Sequence, residues 1–363
     1  MKRVRIGLVG AGFMAAAHAE CYRQDARAVL HRVAAARLES AQRVANRFGI
    51  PKASARWQDV VEDPEIDAVD IVAPNNLHAE MALAAAAAGK ALLIEKPLAL
   101  SVAEADWVVE AIHRAGVPAV YAENRRFAPA LLRMHASVAD GTLGRPLLLQ
   151  VTEMGSGPSH GAWFWDRARA GGGALIDMGI HGLCAAEWLM HDRVRCVQAV
   201  GGRLRWADRL GPDVEDTMLT LAEFASGGMA QLACSWAYSG GLEIRFELTG
   251  SLGTAVADLG RGASGLHLYS EATPSTPMAS PRPHGAVPQG WSFPLTDEWR
   301  QKGHAGEIRH FIDCALGEAT PTCTVQDGRR CLVLAEAILQ AARQGKGVAV
   351  PASPGGTTER IGA

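Results

Sequence analysis

Three side chains in this sequence are of types that together could move a proton and a hydride: Lys96, Asp177 and His181. Asp177 and His181 are four residues apart, so on a helix they share one face. There a carboxylate can orient the tautomer of a neutral imidazole, which can then take the proton of a carbinol. A cationic Lys96 can stabilise the alkoxide that develops. The pair lies inside GGGALIDMGIHG, 171–182, and Lys96 lies in Glu95-Lys96-Pro97. Without the glycine run and the lysine, an Asp and a His at this spacing would read as a solvated helix pair.

A second constellation could hold the hydride carrier. In KRVRIGLVGAGFMAAAH, 2–18, an apolar strand ends in a glycine turn and passes at once into an alanine-rich helix. Gly10, Gly12 and Ala15 fill the small-residue slots of G-x-G-x-x-G/A, which serve the tight turn, the approach of backbone to a pyrophosphate, and helix–strand packing. The helix starts near Gly12, with Phe13 and Met14 in its first turn, and points free N–H groups and its positive dipole end at that pyrophosphate. A dinucleotide fold specific for NAD places Asp or Glu roughly 20 residues further on, at the ribose hydroxyls. Here stand Ala34, Ala35 and Ala36, followed by Arg37, which could pair with a 2′-phosphate. The cofactor expected is therefore NADP or NAD, with a slight preference for NADP. The same stretch could also be a basic n-region with an apolar core and a cleavage site at 17–19. Its glycine interruptions and the βαβ pattern that follows argue against that reading.

The elements that must position these groups follow in order. Residues 28–36 read as a strand and 39–48 as a helix stopped by Gly49; 68–73 is a continuous apolar strand ending in Pro74-Asn75, with His78 beyond. A helix at 81–88 and a strand at 91–95 follow, then a helix at 102–115 and a strand at 119–121. Strands alternating with helices imply a parallel sheet, whose ligand crevice lies at the strand C-termini; Pro74, Asn75, His78, Glu95 and Lys96 all fall there as cofactor-binding candidates. From Arg126 the pattern changes. After a helix to about 139, strands at 147–152, 194–201, 217–224, 228–236, 242–249 and 253–257 predict one large, mostly antiparallel, open sheet. A Trp-rich insertion at 155–190 interrupts it. The proline-rich 273–294 reads as a lid or tail-like loop, helices are expected at 305–316 and 326–343, and 351–363 as a frayed end. The fold class is α/β, with a dinucleotide-binding domain at 1–123 and an α+β domain for substrate binding at 124–350.

Composition narrows the partners. With 363 residues, 48% hydrophobic and 20% charged, the chain can bury two domain cores. A net charge of −2 without a basic run argues against nucleic acid. No stretch approaches the roughly 18 apolar residues of a membrane span, so no membrane role is expected. Seven cysteines without C-x-x-C spacing suit buried thiols in a reducing cytoplasm, and no metal set is expected.

The chain resembles the glucose-fructose oxidoreductase and inositol dehydrogenase family (Gfo/Idh/MocA). The likeness rests on 10–18, Pro74-Asn75 with His78, Glu95-Lys96-Pro97, Arg126-Phe127 with Pro129, and GGG with Asp177, Gly179 and His181. It implies a Rossmann domain joined to an open sheet that commonly serves as an oligomer face, hence a homo-oligomer, dimer or tetramer. It also implies that Lys96, Asp177 and His181 are the catalytic set. The departure is Ala35, where many members carry an acidic residue. The substrate expected is a sugar, inositol or related polyol oxidised at a secondary alcohol carbon. Lys96, Arg125, His160, Trp163, Trp165, Asp177 and His181 are the candidates to bind it, since aromatic faces beside polar groups suit a sugar ring. Two alternatives stand beside this dehydrogenase: a glycosidase that uses transient oxidation with tightly bound NAD, and a non-enzymatic NAD(P)-binding sensor.

Overall fold

The computed structural model describes residues 2–260, 268–269, 291–292 and 297–352. The expectations for 273–294 and 351–363 fall outside the described residues, apart from 291–292 and 351–352. The chain opens with β1 (Val4–Val9), α1 (Phe13–Tyr22), β2 (Ala28–Ala34), α2 (Leu38–Phe48), β3 (Lys52–Ser54), the single turn α3 (Gln58–Val61) and β4 (Ala68–Ile71). It continues with α4 (His78–Ala87), β5 (Ala91–Glu95), α5 (Val102–Ala115) and β6 (Ala119–Ala122). The six strands form one parallel sheet in the order β3-β2-β1-β4-β5-β6. The order reverses between β1 and β4, the switch point at which doubly wound sheets take their ligands. Ile6, Leu8, Val69, Ile71, Leu92, Leu93 and Ile94 are fully buried, which is why these strands are continuous apolar runs rather than alternating ones. Each such side chain contributes roughly 1.5–3 kcal/mol by leaving water. Local signals set the helix ends: Ser101 caps α5 by accepting from Glu104 N at 3.2 Å, and Gly116 closes it at φ 63°.

The chain then forms α6 (Pro129–Ala139), β7 (Pro146–Met154), a 3-10 turn at Ala162–Trp165, α7 (Arg167–Ala170), a π-helical turn at Leu175–Gly179, and α8 (Ile180–Met190). Strands β8 (Val194–Gly202), β9 (Thr217–Phe224), β10 (Met229–Ser235), β11 (Glu243–Gly250) and β12 (Thr254–Asp258) follow. The short pair β13 (Leu268–Tyr269) and β14 (Trp291–Ser292) precedes α9 (Glu298–Gln301), α10 (His304–Ala315), α11 (Val325–Gln344) and β15 (Val348–Ala349). The second sheet runs β12-β11-β7-β10-β9-β8-β15. It is antiparallel except where β7 and β10 lie parallel. Its strands alternate: Leu149, Val151, Ala222, Ala230, Ile244, Phe246 and Leu248 are buried, while Val200, Leu219, Leu221, Met229 and Val256 are exposed. Every residue of α8 is buried, as expected of a helix that is apolar all round.

Two compact units result, 1–127 with 303–332 and 128–302 with 333–363. The sequence-based division, 1–123 and 124–350, cut the chain once; the structure returns 303–332 to the nucleotide unit. The reason is α10, whose Ile308, Phe311 and Ile312 are buried and which packs on α1. Gly306 permits a close approach, since a Cβ there would lie 3.1 Å from the Phe127 carbonyl oxygen.

Candidate active site

In the nucleotide unit, the turn between β1 and α1 depends on two glycines for different reasons. Gly10 has φ 125°, and a Cβ on it would lie 2.3 Å from the Val72 carbonyl oxygen, so no other residue fits. Its N–H donates to Ala34 O at 2.8 Å, which ties the turn to the end of β2. Gly12 is the N-cap of α1, has no side-chain cap, and a Cβ on it would meet nothing within 4 Å. The space over the helix start is therefore open, and the N–H groups that begin with Phe13 and Met14 face it. This fits a pyrophosphate. Ala15 is buried, as its packing slot requires. Arg37, exposed at the N-cap of α2, has no side-chain hydrogen bond or ion pair among the described residues.

Two of the expected cofactor ligands, His78 and Glu95, have inward contacts. His78 is fully buried with Nδ1 2.7 Å from Pro97 O and Nε2 2.9 Å from Ala73 O. It braces the loop after β4 against the loop after β5; burial pulls its pKa down although both carbonyls favour the charged ring. Glu95 sends Oε1 to 3.4 Å from His18 Nε2 and accepts the Lys96 N–H on Oε2 at 2.9 Å. It therefore anchors Lys96 from within, and at both strand ends these side chains turn into the core. Lys96 itself is half-buried and precedes a cis bond to Pro97. Pro74 is half-buried, and Asn75 and Arg125 are buried, with the Arg125 N–H donating to Glu123 Oε1 at 3.2 Å.

In the second unit, Asp177 and His181 are both buried at the junction of the π turn and α8. Sequence spacing led to an α-helical pair; the backbone around Asp177 is π-helical, an arrangement found often at functional sites. Asp177 Oδ2 accepts from the Trp236 indole N–H at 3.0 Å. The glycines around the pair serve packing. A Cβ on Gly173 would lie 1.8 Å from the Glu215 carbonyl oxygen, one on Gly179 2.8 Å from Cys234 Sγ, and one on Gly182 2.9 Å from a Val151 methyl. The backbone at Gly173 thus lies against the loop before β9, the end of the π turn lies close on β10, and α8 lies close on β7. The close neighbour of Gly173 is the protein's own backbone.

Trp165 is edge-on to Trp236 at 5.4 Å and to Trp206 at 5.3 Å, and the Arg209 guanidinium sits 3.9 Å over its ring. A chain of contacts therefore runs Trp165, Trp236, Asp177. Trp163 and His160 pack instead on Phe164, at 3.8 and 4.7 Å between ring centroids.

Sequence reasoning passed over Trp206, Arg209, Glu215 and Asp216. Glu215 accepts the Leu175 N–H on Oε1 at 2.9 Å, serving the start of the π turn; burial raises its pKa against that bond. Asp216 accepts from the backbone N–H groups of Leu204, Arg205 and Trp206 at 2.7–2.9 Å. Burial opposes its charge, and these three bonds more than offset it, so its pKa is lowered. The adjacent carboxylates Glu215 and Asp216, ahead of an apolar strand, were the available signal.

The two halves of this arrangement match known proteins. Residues 4–123 match the oxidoreductase family model with an NAD-binding Rossmann fold, and 131–256 match the GFO/IDH/MocA C-terminal domain. The chain belongs to the GFO/IDH/MocA family and is an NAD-binding oxidoreductase. The myo-inositol 2-dehydrogenase of Thermotoga maritima is 27% identical over 331 residues, 91% of this chain and 94% of that one. The levoglucosan dehydrogenase of Pseudarthrobacter phenanthrenivorans is 32% identical over 292 residues, 70% and 74% of the respective chains. Among solved structures, GenD2 from gentamicin A biosynthesis, in complex with NAD, has TM-score 0.88 and 31% identity over 97% of each chain. A levoglucosan dehydrogenase complex with NADH and levoglucosan has TM-score 0.80 and 27% identity over 97% of this chain and all of the other. No helix among the described residues is long and apolar enough to cross a membrane.

Proposed function

We propose that the protein oxidises a secondary carbinol of a sugar, inositol or related polyol. The observation that carries this reading is the buried Asp177 and His181 pair, with Asp177 fixed by the Trp236 indole. Bound nicotinamide would supply the hydride acceptor at its C4. His181 takes the carbinol proton, Asp177 orients His181, and Lys96 offers a positive charge to the oxygen as it becomes an alkoxide. Trp163, Trp165, His160 and Arg125 are assigned to the sugar, Trp165 through its packing on Trp236. Relatives named for myo-inositol and levoglucosan support this substrate class.

The cofactor is NAD or NADP, and the exposed Arg37 with Ala35 beside it favours NADP, because no carboxylate at that slot binds the ribose diol. The exposed sheet face of Val200, Leu219, Leu221 and Met229 is assigned to a second copy of the chain, since an apolar patch of that kind marks an interface. A substrate deuterated at the reacting carbon tests the chemistry: deuterium should arrive at C4 of the nicotinamide. Deuterium lost to water would reject direct hydride transfer.

A further inference from the structure

The nucleotide unit buries a further set of ionisable side chains. His18 on α1, Asp70 on β4 and Glu307 on α10 are fully buried, and Glu95 on β5 nearly so. His18 Nδ1 lies 2.9 Å from Asp70 Oδ2; its Nε2 lies 3.4 Å from Glu95 Oε1 and 3.8 Å from Glu307 Oε1. Nδ1 hydrogen-bonds Asp70, whereas Nε2 makes no hydrogen bond among the described residues and lies at ion-pair distance between the Glu95 and Glu307 carboxylates. Tyr22 and Cys21 on α1, Glu123 after β6 and His304 on α10 complete the surroundings, with His78 and Lys96 facing Glu95. Burial opposes the charge on His18, but Asp70 and then Glu95 more than offset it, so its pKa is raised well above the ordinary value. Burial, and then its carboxylate neighbours, push the Glu307 pKa well above the ordinary value, against the pull of His18.

We propose that His18 is a positioning residue for Lys96: anchored on Asp70, it holds the Glu95 carboxylate whose other oxygen grips the Lys96 backbone N–H. The inference rests on the role given above to Lys96. Glu95 divides its oxygens between the two tasks, so loss of the His18 ring leaves a buried carboxylate that must protonate or turn. Either response weakens the acceptor at Lys96 N. His78 holds the other side of the same loop through Pro97 O. His18, His304 and Glu307 also place ligand atoms within 4.8 Å of one another, the donor set of a metal site. Metal content is therefore measured on the same preparations.

The test uses the full chain with His18→Gln, Glu307→Gln and Lys96→Ala, and His18→Gln combined with Lys96→Ala. Glu95→Gln is the second variant should His18→Gln fail to fold. On myo-inositol or levoglucosan, His18→Gln should lower kcat by about tenfold to 100-fold, the scale of a misplaced catalytic group. KM and NADH affinity should stay within about threefold, as should every parameter of Glu307→Gln. Added to Lys96→Ala, His18→Gln should cost nothing more, because both act through one group. Independently of turnover, the NMR signal of reductively methylated Lys96 should shift its titration midpoint in His18→Gln and not in Glu307→Gln. If the wild type oxidises neither compound, nor any other sugar or polyol, the proposed function fails, and the NMR arm alone decides the positioning role. Additive losses in the double variant, an unmoved Lys96 signal, or a stoichiometric divalent metal would overturn the proposal.

Discussion

The Trp236 indole N–H donates to Asp177 Oδ2 at 3.0 Å across 59 residues of sequence, joining the end of β10 to the π turn. Trp236→Phe keeps the ring and deletes the donor. A hydrogen bond to a charged group contributes about 1.5–3 kcal/mol. The variant should melt several degrees lower and lose about tenfold in kcat, with NADH affinity unchanged. Calorimetry and steady-state kinetics on one preparation check both.

Lys96→Ala and His181→Ala should each lower kcat by about 10² to 10⁴, the range of acid–base groups, while NADH binding by fluorescence quenching stays nearly intact. Asp177→Asn should cost less, since Asp177 only orients. Near-normal turnover in either alanine variant removes the mechanism.

Two glycine substitutions should separate packing from cofactor binding. Gly173→Ala drives a Cβ against the Glu215 carbonyl and should cost about 1–3 kcal/mol or more in stability. Gly12→Ala meets no atom within 4 Å, so its melting temperature should be unchanged, while NADH binding weakens by about tenfold or more. Equal loss of stability in both variants would contradict the open site over α1.

The nucleotide half was legible because its strands are buried on both faces and end in glycine, proline or capping residues, so period and punctuation agree. The second sheet was legible as a set of strands from its alternation, but not the parallel pairing of β7 with β10, which depends on how the insertion between β7 and β8 crosses the sheet. The return of α10 to the first unit was hidden for the same reason: Phe311 and Ile312 show that a face is apolar, not which helix covers it. His78 and Glu95 were placed at strand ends, yet the local sequence does not say whether a side chain there turns outward or into the core. The contacts of Gly173, Gly179 and Gly182 are with residues far along the chain, as is that of Trp236.

Arg37→Ala should weaken NADP by about tenfold or more and barely alter NAD, the loss of one charge-assisted bond. Ala35→Asp should do the reverse. Calorimetric titration with both cofactors checks this, and a wild type that prefers NAD with Arg37→Ala neutral would reject it.

Stability should decline toward alkaline pH. His18 and Glu307 both hold a proton more tightly folded than unfolded, having pKa values raised above 6.5 and 4.5. Their contribution is fully present below those unfolded values and is lost as pH rises through the raised ones. Melting temperature should fall as pH rises above these unfolded values, and Glu307→Gln should flatten the part that begins above 4.5.

The central claim is tested most directly by incubating the protein with a panel of inositols, sugars and anhydrosugars and either NAD or NADP, following absorbance at the nicotinamide band alongside substrate consumption. The account predicts one reduced nicotinamide for each substrate consumed, abolished in His181→Ala. Consumption of a glycoside with no net reduced cofactor, or no turnover of any panel member with either cofactor, would contradict it.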